Sequence, residues 1–395
     1  MPSNEDIWEA ANNGNTARLY ELIRAKADVD VKDPYGLTPL HYATSSGDRA
    51  SMEILISANA DVNLYDDENA TPLHRAVEGG DPSIVQLLVD ANADVDAHDG
   101  ESMTSLDYAA ANGDTTMVQI LIEAKASVEG TYGCYSTPLE CAAACGHIAV
   151  MQILMEAKAL VTPNTGNGTI STPLHMAASS GHSAAVQVLI DANAPINEQD
   201  SSGQTPLHLA VLHNHHETVQ TLLDAKVTVN DMDLQGQTPL YHAMSCGYIN
   251  IAQSLINIEA TLDFDKKNGA GNTLLHVAAE EGDCTALQLL ISMKANLDIN
   301  NNERLTTPLH LAILRGHTAA VQALVDAKAT IDITDSYNQT PLIWAAEFGH
   351  TAAARILMDA KATVDVQDRN GMTALHWASF YGHKECIRVL LGCFW

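Results

Sequence analysis

The chain has 395 residues, of which 46% are hydrophobic but only 5% aromatic, so its core would consist mainly of Ala, Leu, Val and Ile. Its 49 acidic and 20 basic residues give a formal net charge of −29, which repels phosphate backbones and argues against nucleic-acid binding. The first residues lack the basic and apolar regions of a signal peptide, and no apolar run reaches the roughly 18 residues that span a bilayer, so we expect neither feature.

The first predicted element lies in residues 1–37 and contains the stretch EDIWEAANNGN. We expect a short helix there, with acidic residues in its first turn, where the helix dipole favours negative charge. Such a segment presents a polar outer face, as the capping unit at the end of a stacked structure does.

From residue 38 onward one motif recurs, TPLH or a close variant of it. It begins at positions 38, 71, 104, 137, 172, 205, 238, 273, 307, 340 and 373. The steps between these positions lie between 33 and 35 residues, which indicates a tandem repeat.

Each repeat predicts two short helices. Thr caps the first helix and Pro occupies its first position, where the missing N–H loses no hydrogen bond. A Gly-His break such as 316–317 follows, and then a second helix such as TAAVQALVDA with apolar residues at helical spacing. An extended polar loop such as KATIDITD leads to the next unit. Neither helix can bury its apolar face alone, so we expect each pair to stack on its neighbours.

This pattern resembles the ankyrin repeat, and the resemblance covers essentially the whole chain. It rests on the period near 33, the TPLHxAAxxGH motif and a DVN-like loop. It implies an all-α solenoid of stacked helix–turn–helix units with β-hairpin-like loops and a concave groove. We predict a single array over residues 1–395, with a capping repeat at 1–37, ten internal repeats at 38–372 and a truncated last repeat at 373–395.

One position departs from the family pattern. The family usually has glycine after the second helix, where the backbone turns left-handed. This chain has there Lys26, Asn59, Asn92, Lys125, Lys158, Asn193, Lys226, Glu259, Lys294, Lys328 and Lys361. Lys in this conformation should cost about 1 kcal/mol, so we expect Lys→Gly to raise stability at several of these positions. A cation at a helix C-terminus offsets part of that cost.

Two loops and the last repeat also differ from the rest. Residues 160–170 and 262–271 each carry two extra residues, which loops tolerate well, and we interpret them as longer fingers. The last repeat stops soon after its second helix and has no polar cap. Three interpretations stay open: the native chain continues, Phe394 and Trp395 cover the open face, or another subunit covers it through self-association.

The residue types that carry chemistry are mostly explained by the repeat. Of 17 His, thirteen fall at the TPLH or Gly-His positions, where the resemblance implies bonds to neighbouring turns, and the remainder are His98, His213, His216 and His242. The stretch LHNHHE at 212–217 crosses a helix break, so we expect no zinc site. Cys141 and Cys145 lie at helical spacing near Cys134, where packing is favoured over metal binding. With no glycine-rich phosphate loop and no nucleophile beside a base, we predict no enzymatic activity, no cofactor and no metal.

The aromatic residues concentrate near the C-terminus. In the family, partners dock on turn tips and on the exposed side of the first helix, seven and eight residues after the motif Thr. Small polar residues dominate those positions before about residue 310 and large amphipathic ones follow, and three of four Trp and three of four Phe lie beyond residue 340. Because aromatic residues and Arg dominate binding hot spots, we predict a main partner site at Leu314, Arg315, Tyr337, Trp344, Phe348, Trp377, Phe380 and Tyr381.

These residues do not all carry the same expectation. For Trp344 and Trp377, completing the core is an equally favoured interpretation. Phe348, Phe380 and Tyr381 should face solvent and serve recognition.

The sequence therefore predicts a non-catalytic protein–protein interaction module, a scaffold or adaptor that binds a partner protein through its groove and turn tips. One alternative is that it is the ankyrin region of a larger enzyme, channel or secreted effector whose active part lies beyond residue 395. Another is a modification substrate, because the resemblance implies hydroxylation at Asn63, Asn197 and Asn230. The acidic charge has two open interpretations, solubility or attraction of a partner with a basic surface. Seven Cys without recurrent spacing indicate reduced thiols and an intracellular, cytoplasmic or nuclear, location.

Overall fold

The computed structural model describes residues 4–129, 136–162, 171–256 and 264–392. The chain divides into two compact units, Met1–Ser201 and Ser202–Trp395. In the described ranges the regular elements are 24 helices, and the one β-bridge recorded there is an isolated pair between His98 and Thr104. The predicted all-α fold class is therefore confirmed. Cys134, most of the 160–170 loop, Glu259, Phe394 and Trp395 lie outside the described residues.

The first unit holds six helix pairs. Their bounds are α1 Asn4–Asn12, α2 Thr16–Arg24, α3 Pro39–Ser45, α4 Arg49–Ser57, α5 Pro72–Gly79, α6 Pro82–Asp90, α7 Ser105–Asn112, α8 Thr115–Glu123, α9 Pro138–Cys145, α10 Ile148–Glu156, α11 Pro173–Ser180 and α12 Ser183–Asp191. Each first helix of a pair contacts the first helix of the next pair, as α1 contacts α3 and α3 contacts α5. This stacking buries the apolar stripe that a single short helix would leave exposed.

The second unit holds the remaining six pairs. Their bounds are α13 Pro206–Leu212, α14 His216–Asp224, α15 Pro239–Ser245, α16 Ile249–Ile256, α17 Leu274–Glu281, α18 Cys284–Ser292, α19 Pro308–Leu314, α20 Thr318–Asp326, α21 Pro341–Glu347, α22 Thr351–Asp359, α23 Ala374–Phe380 and α24 Lys384–Leu390. Leu, Ala and Val dominate the buried side chains of both units, as the composition predicted, and Trp344 and Tyr241 are the largest of them.

The TPLH motif is a reciprocal helix cap. In the second pair the Thr38 hydroxyl accepts from the backbone N–H of His41 (3.4 Å), and His41 Nδ1 accepts from the backbone N–H of Thr38 (3.2 Å). Pro39 follows the cap residue at the first helical position, where no N–H is needed. The arrangement satisfies two backbone donors that the helix itself cannot pair.

The other nitrogen of the same imidazole joins one repeat to the next. Because Nδ1 accepts from the Thr backbone, Nε2 carries the proton and donates to a carbonyl of the following finger. In the first unit His74 Nε2 donates to Met103 O (3.1 Å), and in the second His310 Nε2 donates to Gln339 O (3.2 Å). The predicted bonds between these His and neighbouring turns are confirmed.

The residue after the second helix is left-handed throughout the described repeats. Lys328, for example, has φ 72° and Asn59 has φ 66°. The ten Lys and Asn residues that the sequence places in this position all have positive φ. The eleventh residue of the set, Glu259, lies outside the described residues. The backbone premise of the Lys→Gly prediction is therefore confirmed.

The fingers between repeats are organised by aspartates. Asp335 Oδ1 accepts from the backbone N–H groups of Tyr337 and Gln339 (both 2.8 Å), which closes the turn. Asp332 Oδ1 accepts from the N–H of Thr363 in the next loop (3.0 Å), and Asp30 does the same for Asp61 (2.9 Å). Some of the acidic residues therefore have a structural role. Solubility and recognition stay the two interpretations of the acidic charge as a whole.

In the part of the chain that the structure describes, no helix combines the length and the apolar character needed to cross a bilayer.

Candidate partner-binding surface

The two positions seven and eight residues after the motif Thr form the free side of each first helix. In the described repeats none of these residues is buried; for example, Ser45, Ser46 and Cys246 are exposed and Leu314 is half-buried. The packed side chains of these helices instead point at the neighbouring pairs. The sequence prediction that this face is open to solvent is confirmed.

Three predicted site residues on this face are strongly exposed. Phe348 is 41% exposed, Phe380 72% and Tyr381 50%. Leaving large rings in water forgoes the free energy that burying them would give. Phe380 and Tyr381 contact each other edge to face, with ring centroids 5.1 Å apart.

The remaining predicted residues differ in exposure and in their contacts. Tyr337, 54% exposed, lies at a finger tip. Leu314 is half-buried at the end of α19, and Arg315 is exposed and forms an ion pair with Glu280 (2.7 Å). Trp377 is half-buried beneath Tyr381, with nearly parallel rings whose centroids are 5.9 Å apart.

Trp344 differs from the other predicted residues because it is only 2% exposed. Its ring lies 5.2 Å from that of His310 and 6.0 Å from that of Phe348, centroid to centroid. Of the two interpretations of this residue, the structure favours the core one. Trp344 supports the exposed ring of Phe348 from below and does not itself reach a partner.

Arg304 covers one side of Trp344, a contact that the repeat pattern does not predict. Its guanidinium carbon lies 4.7 Å from the ring centroids of both Tyr337 and Trp344. The same group donates from Nε to Asp335 (2.9 Å) and from Nη2 to Gln339 Oε1 (2.6 Å). The one sequence feature that points to this region is the extra residue in the step from Thr273 to Thr307. In the structure it lengthens the turn at 301–306, which closes one residue later than its neighbours, between Asn301 N and Thr306 O.

The surface around Gln339 carries three carboxylates. Its side chain donates to Glu347 (3.2 Å) and also bonds Asp368, while its backbone N–H donates to Asp335. Burial, followed by repulsion from Asp368 and Asp335, raises the pKa of Glu347 despite the Gln339 bond and Arg304. At Asp368 burial is outweighed by hydrogen bonds from Met372, Trp377 and Asn370, so its pKa is lowered.

The other residues considered for chemistry have structural surroundings. His213 and His215 stack with centroids 6.1 Å apart, and His242 bonds Asp233 (2.9 Å). Across the described ranges, no group of three or more His, Cys, Asp or Glu is arranged to hold a metal ion. Asn63 accepts from Asp94 N (2.7 Å), so it joins adjacent loops.

A groove of about 370 Å³ lies between α15, α16 and α18 in the second unit. Met244, Ala252, Ile256 and Leu289 line it together with small polar residues, and no charged group does. It offers no acid, base or metal ligand, so it suggests no reaction.

The family comparison agrees with the repeats of the structure. A family model described as ankyrin repeats (three copies) matches residues 7–99, 80–165, 157–233, 174–268, 228–303, 258–336, 275–370 and 309–394. These overlapping matches extend over nearly the full length of the chain. A search of curated proteins found no match.

Proposed function

The chain belongs to the ankyrin-repeat family, whose repeats form protein–protein interaction modules, and we propose that this one acts as a non-catalytic scaffold or adaptor. Its partner-binding site is the C-terminal aromatic surface, by which we mean Leu314, Arg315, Tyr337, Phe348, Trp377, Phe380 and Tyr381. The observation that carries this proposal is the exposure of Phe348, Phe380 and Tyr381 on the free side of the first helices.

The charge distribution supports this location. Residues 1–300 contain 40 acidic and 12 basic residues, whereas residues 301–395 contain 9 and 8. The aromatic surface therefore lies in the part of the chain with almost no net charge, where apolar contacts meet little long-range repulsion. The acidic remainder would steer a partner with a basic surface toward the chain, an effect that weakens as salt is added.

The cysteines support an intracellular location. Cys141, Cys145, Cys246, Cys284 and Cys386 are free thiols in the described residues. Free thiols persist in the reducing cytoplasm and nucleus, where a scaffold of this family would meet its partners.

A capture experiment tests the proposal. The full chain and a Phe348→Ala, Phe380→Ala, Tyr381→Ala variant are used as baits in the same extract. The matched control replaces Tyr20 and Tyr35, exposed by 56% and 72% in the first unit, with Ala. We expect the triple variant to lose specific partners that the wild type and the control retain. Equal capture of every partner by all three proteins would reject the C-terminal site.

A further inference from the structure

The second unit contains a complete seat for a guanidinium group, filled by its own Arg304. Two aromatic rings, those of Tyr337 and Trp344, lie 4.7 Å from the guanidinium carbon. Asp335 and Gln339 accept hydrogen bonds from two of its nitrogens at 2.9 and 2.6 Å. The seat combines stacking, which the flat cation favours, with charge-assisted hydrogen bonds.

The next repeat keeps two parts of this seat, the aspartate and the indole, without its cation. Arg304 and Tyr337 occupy the same position of consecutive fingers, because each has a backbone carbonyl that accepts a hydrogen bond from the next finger. Ser336 N donates to Arg304 O (2.8 Å), and Arg369 N donates to Tyr337 O (3.0 Å). Asp368 stands where Asp335 stood and accepts from the indole of Trp377, which stands where Trp344 stood, whereas Asn370 and Met372 replace Tyr337 and Gln339. Arg304 reaches Trp344 from its finger. The equivalent position with respect to Trp377 is held by Tyr337, an aromatic ring.

The carboxylates near this second location exceed the cations bound to them. Gln339 holds Glu347 and Asp368 close to Asp335, and Arg304 is the cation that acts on Glu347. Glu347 is only half-buried, on the same helix end as Phe348. A cation brought by a partner would relieve the repulsion among these carboxylates and would stack on exposed rings at the same time.

We infer that the segment bound by the C-terminal aromatic surface presents an arginine side chain, which stacks on the rings of the last repeat and pairs with Glu347. This inference rests on the proposed function. Arginine fits better than lysine, because its planar guanidinium stacks on aromatic faces and reaches a carboxylate through two parallel N–H groups. A lysine ammonium is a strongly hydrated point charge that gains less from a flat ring.

A selection of displayed peptides tests the inference. A random twelve-residue library is selected on the full chain, and clones are kept that fail to bind the Phe348→Ala, Phe380→Ala, Tyr381→Ala variant. The best clone is synthesised with arginine, lysine or citrulline at each arginine position, and its affinity is measured by fluorescence anisotropy. Citrulline keeps the shape of arginine but carries no charge.

We expect arginine at one fixed position of the retained clones. Citrulline there should weaken binding by about tenfold and lysine by less, in line with the loss of a desolvated cation–π contact and an ion pair. Glu347→Gln should weaken the arginine peptide severalfold and leave the citrulline peptide nearly unchanged. The exposed Glu217→Gln in the same unit serves as the control, and thermal unfolding shows whether each variant is folded.

The outcomes separate this inference from the proposed function. Clones that need the aromatic rings but lack arginine, or that tolerate citrulline, overturn the inference and leave the proposed function standing. If no clone depends on the aromatic rings, both fail. A free chain that forms dimers in light scattering, and whose triple-alanine variant is a monomer, also overturns the inference, because a second copy then covers the surface.

Discussion

Trp377 donates its indole N–H to Asp368, the turn aspartate nine residues before it, over 3.0 Å. The same bridge recurs from Tyr42 to Asp33 (2.7 Å) and from His242 to Asp233 (2.9 Å). It ties these fingers to the first helix that follows each of them. In the repeat before the last, Arg304 takes the aspartate instead, and the buried Trp344 Nε1 has no hydrogen-bond partner.

Tyr108 gives the cleanest test of this bridge. Its hydroxyl donates to Asp99 over 2.6 Å, and burial together with this bond raises the pKa of Tyr108. Tyr108→Phe removes the hydroxyl alone, so we expect a loss of about 1 kcal/mol in the free energy of unfolding, measured with urea. Tyr20→Phe, at an exposed residue of the same unit, should change stability much less. Equal effects of the two substitutions would contradict a structural role for the bridge.

The left-handed lysines predict a gain in stability. At Lys328, with φ 72°, glycine removes the clash of Cβ with the backbone, and we expect Lys328→Gly to stabilise the chain by about 0.5–1 kcal/mol. Lys328→Ala is the control, because it loses the charge but keeps Cβ. Urea unfolding should rank Gly above both Lys and Ala. A gain with Ala as large as with Gly would assign the effect to charge.

Asp107 and Glu140 predict a stability that falls as pH rises. Both occupy the buried position that His holds in the neighbouring repeats. Burial raises the pKa of Asp107 from 3.8 to about 6 and that of Glu140 from 4.5 to about 7. Between the ordinary and the raised values the unfolded chain has already released the proton that the folded chain keeps. Ionisation therefore favours unfolding as pH rises, and roughly 3 kcal/mol is lost for Asp107.

Replacing Asp107 with the repeat's usual residue should reverse this dependence. Asp107 Oδ1 is buried without a hydrogen-bond partner, whereas a His there would carry a donor at Nε2, as His74 does. Burial lowers the pKa of His74, so such an imidazole stays neutral at pH 8 and is protonated at a cost in acid. We expect Asp107→His to stabilise the chain at pH 8 and to lose that gain near pH 5. The exposed Glu123→His should show no such crossover in urea unfolding at the two pH values.

Arg304 should shield Trp344 from solvent. Removing it in Arg304→Ala opens one face of a ring that is now 2% exposed, so acrylamide should quench its fluorescence more strongly. The contribution of Trp344 follows from subtracting the same measurement on Arg304→Ala, Trp344→Phe. Arg315→Ala, at an exposed arginine paired with Glu280, is the matched control and should leave quenching unchanged. Unchanged quenching in Arg304→Ala as well would contradict the contact.

Much of the fold could be predicted from local features of the sequence, such as helix caps and turn positions. Thr38 caps its helix because its hydroxyl accepts a backbone N–H that the helix cannot pair, and Pro39 at the next position needs no such partner. The left-handed backbone at Lys26 or Lys328 follows from the position alone, since the turn after the second helix requires it whichever residue is present.

The surface was harder to predict because equivalent positions have different neighbours. Trp344 and Trp377 share one slot of the repeat, yet the first is buried and the second half-exposed. At Trp344 the guanidinium of Arg304 approaches from a preceding finger, out of a turn that is one residue longer than its neighbours. Contacts of this kind join residues some 35 positions apart, and the periodicity shows the extra residue of the 301–306 turn but not the contacts themselves.

Hydrogen–deuterium exchange of the full chain, free and saturated with a partner from the capture experiment, tests the central claim most directly. We predict slower exchange on binding in the fingers at 335–339 and 368–372 and at the ends of α21 and α23, where Phe348, Phe380 and Tyr381 lie. Protection confined to the first unit, with no change between residues 335 and 381, would contradict it.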